Sequence, residues 1–219
     1  PLPTGSGLVT LLASELGFAK AYPLDVLSRE YKSTHGEHGL LSLLTDRLTA
    51  TSVSEAQRYV AGLAWHRIYT TNYDNVLELC RKDSGLPFKT VNAPQTSEVS
   101  LFGTQLPIVH INGALDGADI HNLEQAIRLT RESYLTEHFI GSNWLTQFRR
   151  DISIASVILI VGYSTSDIDI ARILYADPTI RQRLFFIEPI DVDAVMKREL
   201  EQFGTVLDIG LDEFVSRLK

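Results

Sequence analysis

Residues 67–78 read Arg67-Ile68-Tyr69-Thr70-Thr71-Asn72-Tyr73-Asp74-Asn75-Val76-Leu77-Glu78. The first part has the β-branched and aromatic composition of a short strand, and the pattern that restarts at Tyr73 predicts a helix. Thr71, Asn72 and Asp74 therefore fall at the carboxyl end of a predicted strand. Open α/β sheets bind ligands at this edge, so the segment indicates both a fold class and a candidate site.

A second segment repeats this layout. Residues 157–161 are all apolar, and the chain continues Gly162-Tyr163-Ser164-Thr165-Ser166-Asp167 towards another predicted helix. Between the two segments, His110-Ile111-Asn112-Gly113 ends a further predicted strand. We expect the first and second strand ends to present their polar loops towards one crevice.

Strands and helices alternate after residue 63, which predicts parallel pairing with right-handed crossovers. The predicted strands are residues 67–71, 87–91, 108–111, 156–162, 184–187 and 205–209. The predicted helices are residues 73–82, 131–139, 143–153, 167–176, 191–203 and 211–218. Apolar residues recur at three and four over 8–16 and 23–63, so these segments are predicted to be helical. The expected fold is α/β, with a Rossmann-like parallel sheet, flanking helices and a helical insertion.

Composition narrows the classes of function. The net charge is −7 without a basic stripe, which disfavours direct nucleic-acid binding. The longest apolar stretch, residues 152–161, is interrupted by serines and is too short to cross a bilayer. The single cysteine, Cys80, is predicted to be a buried apolar residue, consistent with a reducing cytoplasm, and a cysteine-rich zinc site is not possible.

The order of these motifs resembles the sirtuin-like domains of bacterial antiviral defence, which cleave NAD. The resemblance rests on Thr-Thr-Asn-Tyr-Asp at 70–74, the His/Asn-Gly strand end at 110–113 and Gly-Tyr-Ser-x-Ser-Asp at 162–167, and it covers nearly the whole chain. It implies one sirtuin-like domain over residues 1–219, with a helical subdomain at about 23–63 and a Rossmann-like part at about 64–219. It also implies a first strand and a glycine-rich phosphate loop, which are expected to be missing before Pro1.

Asn72 is predicted to position the attacking water, since its amide offers an acceptor and a donor at a fixed separation. The resemblance implies the same role. Asp74 is predicted to contact the ribose or the water, and Thr71 to contact the nucleotide. The alternatives are structural: Asn72 caps the helix that follows, and Asp74 is an acid of its first turn.

The segment from His110 to Gly113 departs from the family pattern. The family usually has histidine directly before this glycine, as a general base, whereas Asn112 occupies that position here. His110 lies two residues earlier, which places it on the same face of a strand about 6 to 7 Å away. Either His110 reaches the site as a displaced base, or it is a hydrogen-bonded core residue and the site depends on Asn72, Asp74 and water. Asn112 and Gly113 are predicted to contact NAD.

The second strand end is predicted to bind the adenosine half of NAD. The resemblance implies that Gly162, Tyr163 and Ser164 wrap this half, with Ser164 meeting ribose or phosphate oxygens. Asp167 is predicted to cap the following helix near the nucleotide, and Glu188 to contact adenosine.

The expected function is that of an NAD glycohydrolase that uses NAD as its substrate, without a metal, as the NAD-depleting effector of bacterial anti-phage defence. The resemblance implies a homo-oligomer in the cytoplasm that works beside a partner ATPase, an Argonaute-like protein or a sensor domain. Two alternatives remain: an NAD-dependent protein deacylase, and a non-catalytic module that senses NAD or ADP-ribose.

Overall fold

The structure is a computed structural model that describes residues 2–20, 22–96, 103–129, 142–163 and 168–219. The chain divides into two units, one formed by Pro1–Ser54 and Ala61–Trp144 and the other by Glu55–Val60 and Leu145–Lys219. Each unit contains a three-stranded parallel sheet with helices beside it. This confirms the predicted α/β fold with parallel strands and flanking helices. The assignment of one sirtuin-like domain and the missing first strand stay predictions.

The described elements follow the predicted order. The helices are α1 (Gly5–Glu15), α2 (Leu24–Leu48), α3 (Glu55–Gly62), α4 (Val76–Asp83), α5 (Leu123–Ala126), α6 (Asn143–Ile154), α7 (Ile168–Ala176), α8 (Ala194–Glu201) and α9 (Gly210–Leu218). The strands are β1 (Ile68–Thr70), β2 (Phe88–Asn92), β3 (Leu106–His110), β4 (Ile158–Val161), β5 (Leu184–Ile187) and β6 (Thr205–Leu207). A 3₁₀ helix, Pro178–Arg183, precedes β5. The predicted helix over 131–139 lies outside the described residues.

The helices of the first unit share an apolar core. Leu40, Leu44 and Leu48 recur every fourth residue on α2 and are buried, and they pack with Leu8 and Leu12 of α1. This is the one-sided pattern expected of an amphipathic helix. The helical geometry of α2 is interrupted at Gly36, whose φ of 74° lies in the left-handed region.

The first sheet has the order β1-β3-β2. All five residues of β3 are buried, as expected of a central strand in a parallel sheet. β3 begins at Leu106, two residues before the predicted start, and so includes Pro107. Proline is tolerated because β1 pairs with β3 only from Ile108 onwards, while Leu106 donates its N–H to the carbonyl of Pro87 beside β2.

The second sheet has the order β4-β5-β6, and β5 is its central strand. Leu184 and Phe186 of β5 are fully buried, and the bounds of this strand are those predicted. Gly204 passes so close to Leu184 that an added Cβ would lie 2.4 Å from its carbonyl oxygen. In the described ranges, none of the helices has the length and apolar character needed to cross a membrane.

Candidate functional site

The loop between β1 and α4 carries the leading candidate residues. α4 begins at Val76, three residues later than predicted, and Asn75 rather than Asn72 occupies the position before it. The alternative in which Asn72 caps this helix is therefore wrong. Asp74 also precedes the helix, and its Oδ1 accepts a hydrogen bond from the N–H of Val76 at 3.0 Å. This side-chain turn explains the late start of α4.

Asn72 has an exposed side chain, and both of its backbone polar groups are hydrogen bonded. Its N–H donates to Oγ1 of Thr70 at 3.1 Å, and its carbonyl oxygen lies 2.8 Å from Nδ1 of His110. Hydrogen bonding from the side-chain amide lowers the pKa of the Asp74 carboxyl group, against the effect of burial. The loop thus presents Asn72 to solvent at the carboxyl end of β1, with Asp74 beside it.

His110 lies under this loop, at the carboxyl end of β3. Its side chain is 1% exposed, and both ring nitrogens face acceptors: Nδ1 faces the carbonyl of Asn72, and Nε2 lies 3.0 Å from Oε1 of Glu78. The same Oε1 accepts a hydrogen bond from the hydroxyl of Thr90 on β2 at 3.0 Å. The ring therefore connects α4 and β2 to the candidate loop.

Burial and charge act in opposite directions on the pKa of His110. Burial disfavours the cation, but the hydrogen bond and negative charge of Glu78, the carbonyl of Asn72 and the charge of Asp74 together raise this pKa above its ordinary value. The pKa of Asp74 is raised mainly by burial, against the lowering effects of the Val76 N–H and of His110. Asp74 is thus a stronger proton acceptor than an ordinary aspartate.

Asn112 lies in the turn after β3, and Gly113 forms a bridge to Ile127. The prediction that Asn112 shares a strand face with His110 is therefore wrong. Asn112 is buried; its Nδ2 lies 3.5 Å from the carbonyl of Thr71, and its own carbonyl accepts the N–H of Arg128 at 2.7 Å. At Gly113, φ is 97°, and an added Cβ would lie 2.0 Å from the carbonyl oxygen of Ala126. These contacts explain structurally why asparagine and glycine occupy these two positions. That Asn112, Gly113 and Thr71 bind NAD stays a prediction.

In the second unit, Glu188 follows β5 and lies beside the end of β4. It is 5% exposed, and Oε1 accepts a hydrogen bond from the N–H of Tyr163 at 3.2 Å. Burial raises the pKa of its carboxyl group, and the Tyr163 N–H opposes this rise. Gly162 has a φ of 65°, so its left-handed conformation allows the turn that places Tyr163 there. Their contacts with adenosine stay predictions.

Two other predicted residues, Ser164 and Asp167, lie outside the described residues. Within the described ranges, no group of three or more His, Cys, Asp or Glu side chains is arranged to hold a metal ion. The residue pattern does not single out Glu78, although a carboxylate in the first turn of α4 is visible in the sequence. Its contact with His110 spans 32 residues and has no local signal.

The chain belongs to the SIR2-like domain family, whose family model matches residues 66–198. The match includes Asn72, Asp74, Glu78, His110 and Glu188. The family includes NAD-dependent enzymes, which supports an NAD-related activity in general. A search of curated proteins found no significant match.

Proposed function

We propose that this protein hydrolyses NAD at the bond between nicotinamide and ribose, giving nicotinamide and ADP-ribose. The observation that carries the proposal is the pair formed by exposed Asn72 and half-buried Asp74 at the end of β1. Membership of the SIR2-like family supports NAD as the substrate. The pair offers what the reaction needs, namely an amide that orients a water molecule and a carboxylate that takes its proton.

In the proposed step, the water oxygen forms a bond with C1′ of the ribose while the bond from C1′ to the nicotinamide nitrogen breaks. The electron pair of that bond stays on nicotinamide, which leaves as a neutral molecule. Asn72 orients the water through its side-chain amide, and Asp74 accepts the released proton. Burial of Asp74 favours this transfer because it raises the pKa of the carboxyl group.

General-base catalysis by His110 also stays a prediction, but the contacts of its ring do not favour it. Both nitrogens already face acceptors, and the side chain is 1% exposed. A base must reach the proton that it removes, directly or through one water molecule. Asp74 meets this condition better, since it lies beside the exposed side chain of Asn72.

Incubation of the protein with NAD tests the proposal, with nicotinamide and ADP-ribose quantified by chromatography. We expect equimolar products, and the same rate after treatment with a chelator, because the proposed step uses no metal ion. NAD consumption that requires an acylated peptide would instead identify a deacylase. Loss of activity on chelation, with recovery on adding zinc, would contradict the metal-free step.

Asn112 before Gly113 and the buried ring of His110 favour a second candidate, a module that binds NAD or ADP-ribose without cleaving it. Titration calorimetry with each ligand, combined with the turnover assay, separates the two functions. Binding without turnover would support the sensor and contradict the hydrolase.

The resemblance to defence domains further supports a role for the hydrolase as an NAD-depleting effector in the bacterial cytoplasm. In that role it acts as a homo-oligomer and beside a partner ATPase, an Argonaute-like protein or a sensor domain. Cellular NAD measured during phage infection tests this, with the Asn72→Ala variant as the control. An equal NAD level in cells with wild-type protein and cells with the variant would contradict the effector role.

A further inference from the structure

The hydrogen bonds of His110 define its protonation state. The carbonyl oxygen of Asn72 can only accept, so Nδ1 of His110 must carry a proton. In a neutral ring Nε2 would then be an acceptor, facing the carboxylate of Glu78 at 3.0 Å. A second proton on the ring turns this repulsion into a charge-assisted hydrogen bond. The geometry therefore favours an imidazolium and carboxylate pair.

Glu78 lies where its carboxylate stabilises the positive charge of the His110 ring. Its side chain is 13% exposed, its Oε1 accepts from both Nε2 of His110 and the hydroxyl of Thr90, and its Oε2 is buried without a hydrogen-bond partner. A buried carboxylate needs a compensating charge or hydrogen bonds, and His110 supplies both. Removing His110 would leave the Glu78 carboxylate without its compensating charge, and removing Glu78 would leave Nε2 of His110 without its acceptor.

The His110–Glu78 pair is connected to the side-chain amide of Asn72 through the backbone of Asn72. Nδ1–H of His110 donates to the carbonyl of Asn72, while Oγ1 of Thr70 accepts from the N–H of the same residue. These two bonds fix the backbone from which the exposed side chain of Asn72 projects. A water-positioning group loses its advantage when it is free to move, so the position of this peptide bears on turnover.

We propose that Glu78 and His110 are positioning residues for NAD hydrolysis: Glu78 keeps His110 doubly protonated, and the charged ring clamps the Asn72 peptide. This inference rests on the proposed hydrolysis and deepens it. It assigns a role to Glu78. In it, His110 is not a general base but an imidazolium that keeps both of its protons during the reaction.

The two roles of His110 predict opposite pH dependences. A clamp needs the imidazolium because a neutral ring keeps its Nδ1–H bond to Asn72 but loses its anchor on Glu78, where Nε2 then faces the carboxylate as a second acceptor. Turnover is therefore retained below the folded-state pKa of His110, down to the pH at which Asp74 is protonated, and falls as the pH rises through the pKa of His110. A general base needs the neutral ring, so turnover would rise through the same pKa. Two carboxyl groups act on the charge of His110, Glu78 from α4 and Asp74 from the loop, and β2 contributes the neutral Thr90 through Glu78.

The test compares wild-type protein with Glu78→Gln and Thr90→Val over pH 5 to 10, recording kcat and KM for NAD. Glutamine keeps an oxygen near Nε2 but removes the charge that favours the second proton. We expect kcat of Glu78→Gln to fall about tenfold at neutral pH, less than the hundredfold or more for direct loss of a preorganised polar contact, because Asn72 itself is retained. KM should stay within about twofold, and the fall at high pH should begin at lower pH. Acidification that still leaves Asp74 ionised should restore kcat towards wild type. Thr90→Val removes a hydrogen bond to the same oxygen without a charge, so it should lower stability without moving the pH profile.

Nuclear magnetic resonance measures the protonation state of the His110 ring directly. In protein labelled with ¹⁵N-histidine, the ring signals of His110 are assigned by their loss in His110→Gln. We expect both nitrogens to be protonated at neutral pH in wild type and one in Glu78→Gln. A neutral wild-type ring, or a kcat that rises with pH through a pKa that Glu78→Gln shifts, would overturn the inference. Absence of NAD hydrolysis by wild-type protein would instead overturn the proposed function.

Discussion

The side-chain amide of Asn75 pairs with both backbone polar groups of Ala50. Oδ1 of Asn75 accepts from the N–H of Ala50 at 2.7 Å, and Nδ2 donates to its carbonyl oxygen at 3.3 Å. The contact joins the residue before α4 to the segment that follows α2. It also explains why Asn75 occupies the cap position of α4 without making a side-chain capping bond.

Asn75→Ala should therefore destabilise the first unit. It removes two partly buried hydrogen bonds and leaves both groups of Ala50 without this partner, a cost of about 1 to 3 kcal/mol. Thermal unfolding followed by circular dichroism should show a melting temperature several degrees lower. Asn75→Asp keeps the acceptor but turns a carboxylate towards the Ala50 carbonyl, so it should be at least as destabilising. An unchanged melting temperature in both variants would show that the pairing contributes little.

Gly113→Ala should be among the more destabilising single substitutions in the described part of the chain. Its Cβ would lie 2.0 Å from the carbonyl oxygen of Ala126, and φ is 97°. The strained backbone alone costs about 1 to 2 kcal/mol, and the clash adds a backbone displacement of similar or larger cost. Gly117→Ala is the matched control, since φ is 80° there with no atom within 4 Å. Equal unfolding free energies for the two variants would contradict the predicted clash.

Glu188→Gln should raise or preserve stability at neutral pH. Burial raises the folded-state pKa of Glu188 above its ordinary 4.5, despite the Tyr163 N–H. Its stabilising contribution is therefore complete below about 4.5 and is lost as the pH rises through the raised pKa. Glutamine keeps the acceptor for Tyr163 without the buried charge. The melting temperature of the variant relative to that of wild type should be higher at pH 7 than at pH 4. A relative melting temperature that is lower at pH 7 would contradict the prediction.

The fold was readable from the sequence because its signals are local. The apolar run at 184–187 and the alternation after residue 63 predicted parallel strands with helices between them, and β5 has the predicted bounds. The late start of α4 was missed because Asp74 forms a side-chain turn with Val76. The early start of β3 was missed because a proline in a central strand is acceptable only where no neighbouring strand needs its N–H.

The candidate site was readable only in part. The strand end at Asn72 and Asp74 followed from the pattern of residues 67–78, but the partners beneath it come from distant segments. Glu78 meets His110 across 32 residues, and Asn75 meets Ala50 across 25. Such contacts depend on which distant segments the fold brings together, which periodicity does not encode. The sequence leaves His110 with two possible roles, and its ring contacts favour a hydrogen-bonded core residue over a general base.

Asn72→Ala should separate catalysis from stability. Its side chain is exposed and lowers the pKa of Asp74, while its hydrogen bonds to Thr70 and His110 are made by the backbone and survive the substitution. We expect kcat for NAD to fall by about a hundredfold or more, as for loss of a preorganised polar group. The melting temperature should stay close to that of wild type. Chromatographic measurement of nicotinamide release and thermal unfolding of the same sample provide the two readouts.

Asn72→Asp sharpens this prediction because aspartate keeps an acceptor of similar size but loses the amide donor. It also places a second carboxylate beside Asp74, which raises the pKa of that pair and disfavours two negative charges at neutral pH. Turnover should therefore fall as in Asn72→Ala, with a pH profile displaced towards higher pH. If folded Asn72→Ala protein hydrolysed NAD at the wild-type rate, the water-positioning role of Asn72 would be wrong. Asp74 would then be the remaining candidate at this strand end for contact with the reacting water.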